Sequence, residues 1–506
     1  MTDRRRFLQS LAALGLAHRA APVLAQAPRF AAYPFRLGVA SGYPRPDGMV
    51  LWTRLSGDLA PAAIPLDWEV AEDEGMRRVV ASGRVLAEPE WAHSARVEPR
   101  GLAPDRWYWY RFTAGDARSP VARTRTAPAA DAAARLRFAF ASCQQYEQGW
   151  FTAHRLMSAE DLDLVAFLGD YIYESSWGRD HVRKHDAGEP YSLADYRARY
   201  ALYKSDPDLQ ASHHAFPWIF TWDDHEVDND YANDRPEDGM PREAFLVRRA
   251  AAYRAFYEHL PLPSSMRPSG PDMRIYTSVD WGRTAAFHVL DDRQYRDPQV
   301  CPARAGGSTV VDPTVCTAIA DPGRTMLGAA QEAWLERQLA GSRAAWNLLA
   351  QQTLMAQLDR KLGPERQFWT DGWDGYPAAR RKLMDLLGEK KVRNPVVLGG
   401  DVHMHWVADL KPDFDDAKSP VVASEFCGTS ITSQGGSQKM VDALMTESPH
   451  MKYGRSDHRG YVRIAISGGR LHAELVGLET VKRPDARADV LARFVVEDGR
   501  PGPQKA

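Results

Sequence analysis

The chain lacks any appreciable charge excess: 64 basic against 66 acidic side chains leave a formal net charge of -2 over 506 residues. Without a basic surplus there is no electrostatic case for a polyanion, so no dedicated nucleic-acid partner is expected. Long hydrophobic runs are missing too. The N-terminal apolar stretch ends near Ala17, short of the roughly 20 residues that cross a bilayer, and no later stretch reaches that length, so no transmembrane span is expected. Cysteine is scarce, four in all, and no internal repeat or extended low-complexity segment occurs. What remains is ordinary globular material, 44% hydrophobic and 26% charged.

The length predicts about two to four domains. Residues 1–27 run from Arg4, Arg5, Arg6, Phe7, Leu8 and Gln9 through an apolar segment to Ala25-Gln26-Ala27, the pattern of a twin-arginine signal peptide read by the export machinery. It predicts a periplasmic or secreted protein. Residues 28–128 alternate short strand-like runs with turn residues, predicting a small antiparallel β-sandwich. A joint, TAPAADAAAR, ends near Arg135, and from 135 to about 480 strand-like runs alternate with amphipathic segments, as in a layered α/β domain. Within it, Leu327–Trp346 keeps helical spacing and WNLLAQQ follows as a strand, while Glu174–Phe216 reads as an insertion bordering the site. The tail, 481–506, either forms a covering helix around Val490–Val496 or frays. In an oxidising compartment Cys301 and Cys316 are placed to form a disulfide worth about 3 kcal/mol, the alternative being two independent thiols. Cys427, in EFCGTS, reads as a buried core thiol.

Four apolar runs end in metal-binding side chains: LRFAFASC at Cys143, LDLVAFLGDYIYE at Asp170 and Tyr173, WIFTWDDHE at Asp224 and His225, and VVLGGDVHMHW at Asp401 and His403. In an open α/β sheet, strand ends at the carboxyl edge share one crevice, so residues far apart in sequence meet there. Carboxylates gathered in such a place repel one another unless a cation compensates them, and more than one cation is expected. Tyr173 offers a hard oxygen suited to ferric iron, and Cys143 beside it favours iron over calcium or magnesium. Asn229 is a further oxygen donor, and His225 is suited to protonate a leaving oxygen. His405 reads as a supporting or core histidine. Arg293 either contacts phosphate or forms a structural ion pair.

The ordered set ASC, GDYIYE, WDDHE and GGDVH, with VASGYPRPDGMVLWTRL, LDDRQYR and the AQQ after Leu349, resembles the PhoD family of alkaline phosphatases over nearly the whole chain. The resemblance implies a small fibronectin III-like β-sandwich domain followed by a four-layer αββα metallophosphatase domain. It implies an exported phosphomonoesterase, often a phosphodiesterase too, that uses Fe(3+) with Ca(2+). Carried over by position, Cys143, Asp170 and Tyr173 form the iron side, and Asp224, Asn229, Asp401 and His403 are the remaining ligands. Compared with purple acid phosphatases, WDDHE stands where GNHE is usual and GGDVH where GHxH is usual, an exchange of imidazole for carboxylate that suits calcium. The expected function is therefore a monomeric, metal-dependent hydrolase of phosphate esters, with metal-activated in-line attack and His225 as acid. The alternatives are a phosphodiesterase of lipid or cell-wall polymers and a non-catalytic exported metal-binding protein.

Overall fold

The structure, a computed structural model, describes residues 29–302 and 307–506. The twin-arginine segment lies outside the described residues. LRFAFA, LVAFL and PWIFT form adjacent parallel strands, Leu136–Ala141, Leu164–Leu168 and Pro217–Thr221. Covered on both faces, they read as continuous apolar runs without alternation. They lie at the middle of a 10-stranded sheet, against which stands a 7-stranded sheet carrying the parallel strands Ala285–Val289, Trp346–Ala350, Pro395–Gly399 and Ala423–Cys427.

Side-chain alternation divides these strands between two cores. Leu348, Val396 and Leu398 face the first sheet together with Phe287, whose ring meets Phe138 edge-on with centroids 5.0 Å apart. Leu349 and Val397 point the other way, onto Trp334 and Leu335 of helix Gly328–Gly341 and Leu383 and Met384 of helix Pro377–Glu389. Helices Leu193–Lys204, Pro207–Ala215 and Arg242–His259 cover the far face of the first sheet through Tyr196, Tyr200, Leu209 and Phe256. The stack is helix, sheet, sheet, helix: the four-layer αββα architecture.

At the N-terminal end, Ile64–Ala71, Val79–Ala87 and Trp107–Ala114 form an antiparallel sheet over a core of Val39, Leu51, Leu66, Val70, Tyr110 and Phe112. The facing strands, Val39–Arg45, Gly48–Arg54 and Ser94–Val97, extend the 10-stranded sheet, because Ser41 pairs with Pro217 and Gly42 with Trp218. The two halves therefore share one sheet. Trp52 strengthens the join, its Nε1 donating to Glu258 O at 2.9 Å.

The C-terminal tail differs from the covering helix expected at Val490–Val496. Ala488–Glu497 and Arg500–Lys505 are antiparallel strands that widen the 10-stranded sheet beyond Arg470–Leu478. Ala492, Phe494 and Val496 are buried at every second position, the period of a strand, and Asp498-Gly499 turns the chain. Cys301 and Cys316 are joined in a disulfide. No helix of the described residues is long and apolar enough to cross a membrane.

Candidate metal centre

Three of the four strand runs stop in a backbone conformation that few residues adopt, the run ending at Asp224 being the exception. Cys143, Asp170, Asp401 and His403 have φ of 60°, 57°, 65° and 55°, the left-handed region that non-glycine residues visit rarely and mostly at functional sites. These turns lift the side chains off the strand ends into one crevice. Gly169, at φ 110°, permits a close approach: a Cβ there would lie 2.6 Å from the backbone nitrogen of Asp223, so only glycine brings these two loops together. Cys143 N–H donates to Gly169 O at 3.1 Å, tying the first loop to the second.

The sequence-predicted residues meet in overlapping groups. Ligand atoms of Cys143, Asp170 and His403 lie within 4.8 Å of one another, as do those of Asp170, Asp224 and His225, and those of Asp170, Asp223, Asp224 and Asp401. Tyr173 joins the first group, its hydroxyl 2.7 Å from Asp170 Oδ2 and 3.2 Å from His403 Nε2, while Ser433 Oγ donates to it at 2.8 Å. His403 thus stands with the thiol and the phenol. Gln434 O can only accept, so His403 Nδ1 donates to it at 3.0 Å and Nε2 keeps its lone pair toward the cluster. Asn229 lines the same cavity, of about 790 Å³; its Nδ2 is committed to Glu237 Oε2 at 2.9 Å, leaving the carbonyl oxygen as its donor atom. His405 stands apart from these groups, buried, with Nδ1 accepting from Thr429 N–H at 3.1 Å.

The residues fit cations on a direct observation: Asp170 Oδ1, Asp223 Oδ2 and Asp224 Oδ1 are sealed from water without a hydrogen-bond partner. Buried anionic oxygens left so are costly, and a cation among them removes the cost.

Glu226, Glu174, Thr353 and Asp371 build the site without a sequence assignment. Glu226, the last acid of WDDHE, accepts from the backbone N–H groups of Asp170 at 3.0 Å, Tyr171 at 2.5 Å and Asp223 at 2.7 Å, so one buried carboxylate clamps two loops. Glu174, the last acid of GDYIYE, accepts from His225 Nδ1 at 2.7 Å. Thr353 Oγ1 donates to Asp401 Oδ2 at 2.8 Å. Arg293 is a structural ion pair: buried, bonded to Asp223, 2.5 Å from Asp371, and 3.6 and 3.8 Å from Asp224 and Asp401. Asp371 also brings its carboxylate near those of Asp224 and Asp230. An acid placed after each apolar run is a signal for Glu174 and Glu226, whereas Asp371 follows no such run.

Electrostatics divide the acids. Burial, only partly offset by Arg293, pushes the Asp223 carboxyl up to about 7; burial and then Asp371 do the same for Asp230; and burial raises Glu226 to about 8. Burial and then Asp170 hold the Cys143 thiol well above its usual range. At Asp224 burial is outweighed by Arg293 and His225, so its carboxyl falls below the ordinary range. Burial opposes a charge on His225, yet Glu174, Asp224 and Asp170 outweigh it and hold the imidazole protonated. The sign of the linkage follows. Asp223, Asp230 and Glu226 bind protons more tightly folded than unfolded, so in metal-free protein their contribution is full below about pH 4 and is lost as pH rises through about 7 to 8. Added cations are therefore expected to raise the melting midpoint more at pH 8 than at pH 5. A rise at pH 8 equal to or smaller than that at pH 5 would contradict this.

Known proteins resemble this chain over nearly its whole length. A family model described as PhoD-like phosphatase matches residues 138–475, and one described as PhoD-like phosphatase, N-terminal domain, matches 19–128. Alkaline phosphatase D of Bacillus subtilis (strain 168) is 44% identical over 528 residues, covering 99% of this chain and 89% of that protein. The solved structure of PhoD superposes with a TM-score of 0.90 at 44% identity, covering 95% of this chain and 93% of that one. A purple acid phosphatase from yellow lupin (Lupinus luteus) seeds shares the fold, with a TM-score of 0.56 at 13% identity over 92% of this chain and 74% of that one. The chain therefore belongs to the PhoD-like phosphatase family, as a phosphoric ester hydrolase of the alkaline phosphatase D type.

Proposed function

We propose that this protein is an exported, metal-dependent alkaline phosphatase that hydrolyses phosphate monoesters, and diesters at the same site. The observation that supports it most is the meeting of thiol, phenol, carboxylates and imidazole at separate strand ends, beside a second imidazole that its neighbours keep protonated. Cys143, Asp170, Tyr173 and His403 suit Fe(3+), and Asp224, Asn229 and Asp401 offer the oxygens that Ca(2+) prefers. When bound, such cations polarise the phosphoryl oxygens and supply a deprotonated water at neutral pH. The protein's own groups orient and move protons. Glu174 Oε2 holds His225 by Nδ1–H, which turns the opposite ring nitrogen toward the cavity, from where it protonates the departing oxygen. Tyr173 supports the ring, its centroid 4.1 Å from that of His225, and Trp177 stacks on His403 at 5.6 Å.

The three consecutive arginines and the Cys301–Cys316 disulfide support export to the periplasm or beyond. The working unit in this reading is a monomer acting on soluble esters.

His225→Ala tests the acid. It is expected to lower turnover of an alkyl phosphate by roughly 10²- to 10⁴-fold, and of p-nitrophenyl phosphate far less, because nitrophenolate departs without a proton. Metal content should stay as in the parent enzyme. Full turnover of alkyl phosphates by the variant would withdraw the role, and parallel assays on a monoester and a bis-ester test the dual specificity.

A further inference from the structure

Among the described residues that line the site cavity, Arg360 is the single lysine or arginine. The other guanidinium of this region, Arg293, does not line the cavity and is surrounded by Asp223, Asp371, Asp224 and Asp401. Arg360 differs. No described carboxylate lies within ion-pair distance of it, and its Nε is shut away from water without a hydrogen-bond partner. Its position is nonetheless fixed. Arg360 N–H donates to Gln367 O at 2.8 Å, and Asp359 Oδ1 accepts from Lys361 N–H at 2.9 Å and Gln367 N–H at 3.0 Å, which closes the turn that carries it. The guanidinium carbon sits 5.7 Å from the ring centroid of Trp369, itself a cavity residue anchored through Nε1 to Ser308 Oγ at 3.0 Å.

An arginine held so, half-buried and without a counter-charge, is costly unless an anion arrives. The rest of the wall sharpens the point. Glu189 is engaged by Arg248 at 2.6 Å and Glu237 by Asn229, and these acids with Asp238 line the cavity around Asp228 and Asp230. An anionic substrate is repelled there and attracted where Arg360 and the protonated His225 stand. Asp374 and Asp401 act on its charge from beyond ion-pair distance, and Asp401 lines the same cavity.

Building on the phosphatase reading above, we propose that Arg360 is a substrate contact that binds a non-bridging oxygen of the phosphoryl group and favours dianionic monoesters over monoanionic diesters. A monoester presents one more charged oxygen than a diester, and the second ester arm of a diester must occupy the space that this oxygen would take. Charge and shape therefore act in the same direction.

The test uses metal-loaded wild type, Arg360→Gln and Arg360→Lys. Inorganic phosphate is titrated by calorimetry, and kcat and KM are measured on p-nitrophenyl phosphate and bis(p-nitrophenyl) phosphate. Arg360→Gln is expected to weaken phosphate binding and raise the monoester KM by roughly ten- to hundredfold, with a fall in monoester kcat of about threefold at most. The diester kcat/KM should drop by no more than about threefold, and Arg360→Lys should restore part of the phosphate affinity. Phosphate affinity and monoester KM within about twofold of wild type, or equal losses on both esters, would overturn the proposal. Wild type that binds phosphate but turns over neither ester would sink the phosphatase reading instead, and the ratio of phosphate affinities would still decide the contact.

Discussion

Asp170→Asn is expected to lower kcat by at least about 10³-fold on every ester, the scale of losing several kcal/mol of cation-borne charge stabilisation. Asp170 belongs to the group with Cys143 and His403, to the group with Asp224 and His225, and to the group with Asp223, Asp224 and Asp401. It is the carboxylate the two sides have in common, as a bridging ligand must be. Oδ2 accepts from Tyr173 while Oδ1 has no partner in the protein, so the atom that the substitution neutralises is the one left for a cation. Asparagine is the informative replacement because it tolerates the φ of 57° and keeps the volume, leaving the charge as the main change. Elemental analysis should show cation loss in parallel with kcat. A variant within about tenfold of wild type and with full metal content would remove Asp170 from the centre of the mechanism.

Glu226→Ala is the second large effect, this time on the fold itself. Its carboxylate serves the N–H groups of Asp170, Tyr171 and Asp223, all buried, and truncation leaves all three without an acceptor. An unsatisfied buried donor costs about 1 to 3 kcal/mol, so a loss on the order of 4 kcal/mol is expected in denaturant melts of metal-free protein. Glu226→Gln keeps one acceptor oxygen but turns an amide donor toward backbone donors, and should fall between. Activity should fail with the clamp, since the loops carrying Asp170 and Asp223 no longer hold their spacing. Melting curves that superpose on wild type would show that other contacts hold these loops.

The parts of the molecule that could be read from sequence are those set by local pattern. Continuous apolar runs such as LVAFL and PVVLG announce strands covered on both faces, and the acids that end them announce the crevice, because parallel strands deliver their carboxyl ends to one side. Cys143, Asp170, Asp224, Asp401 and His403 fall in overlapping groups that Tyr173 joins, and Asp224, Asp401 and His403 among them line the cavity. What depends on non-local pairing could not be read in the same way. That Val39–Arg45 joins Pro217–Thr221 follows from how two sheets abut, not from either segment alone. The tail carried its own signal in Ala492, Phe494 and Val496 and in the Asp498-Gly499 turn, yet a short, polar, terminal stretch suggested a helix or fraying. Glu226 and Glu174 were visible as acids, but their tasks are defined by backbone N–H groups and a ring nitrogen that only the folded loops bring into range. Arg360 sits in no motif; its role rests on what is missing around it.

In the proposed reading, Cys143, Asp170, Tyr173 and His403 hold iron next to an oxygen-rich calcium site formed with Asp224 and Asp401. Anomalous diffraction from crystals of active, as-purified enzyme, recorded on both sides of the iron absorption edge, tests it most directly. The expected map has an iron peak bonded to Cys143 Sγ, the Tyr173 phenolate oxygen and an Asp170 carboxylate oxygen, with a second, lighter cation across Asp170 toward Asp224. An active crystal without iron, or with its iron bound away from these side chains, would contradict it.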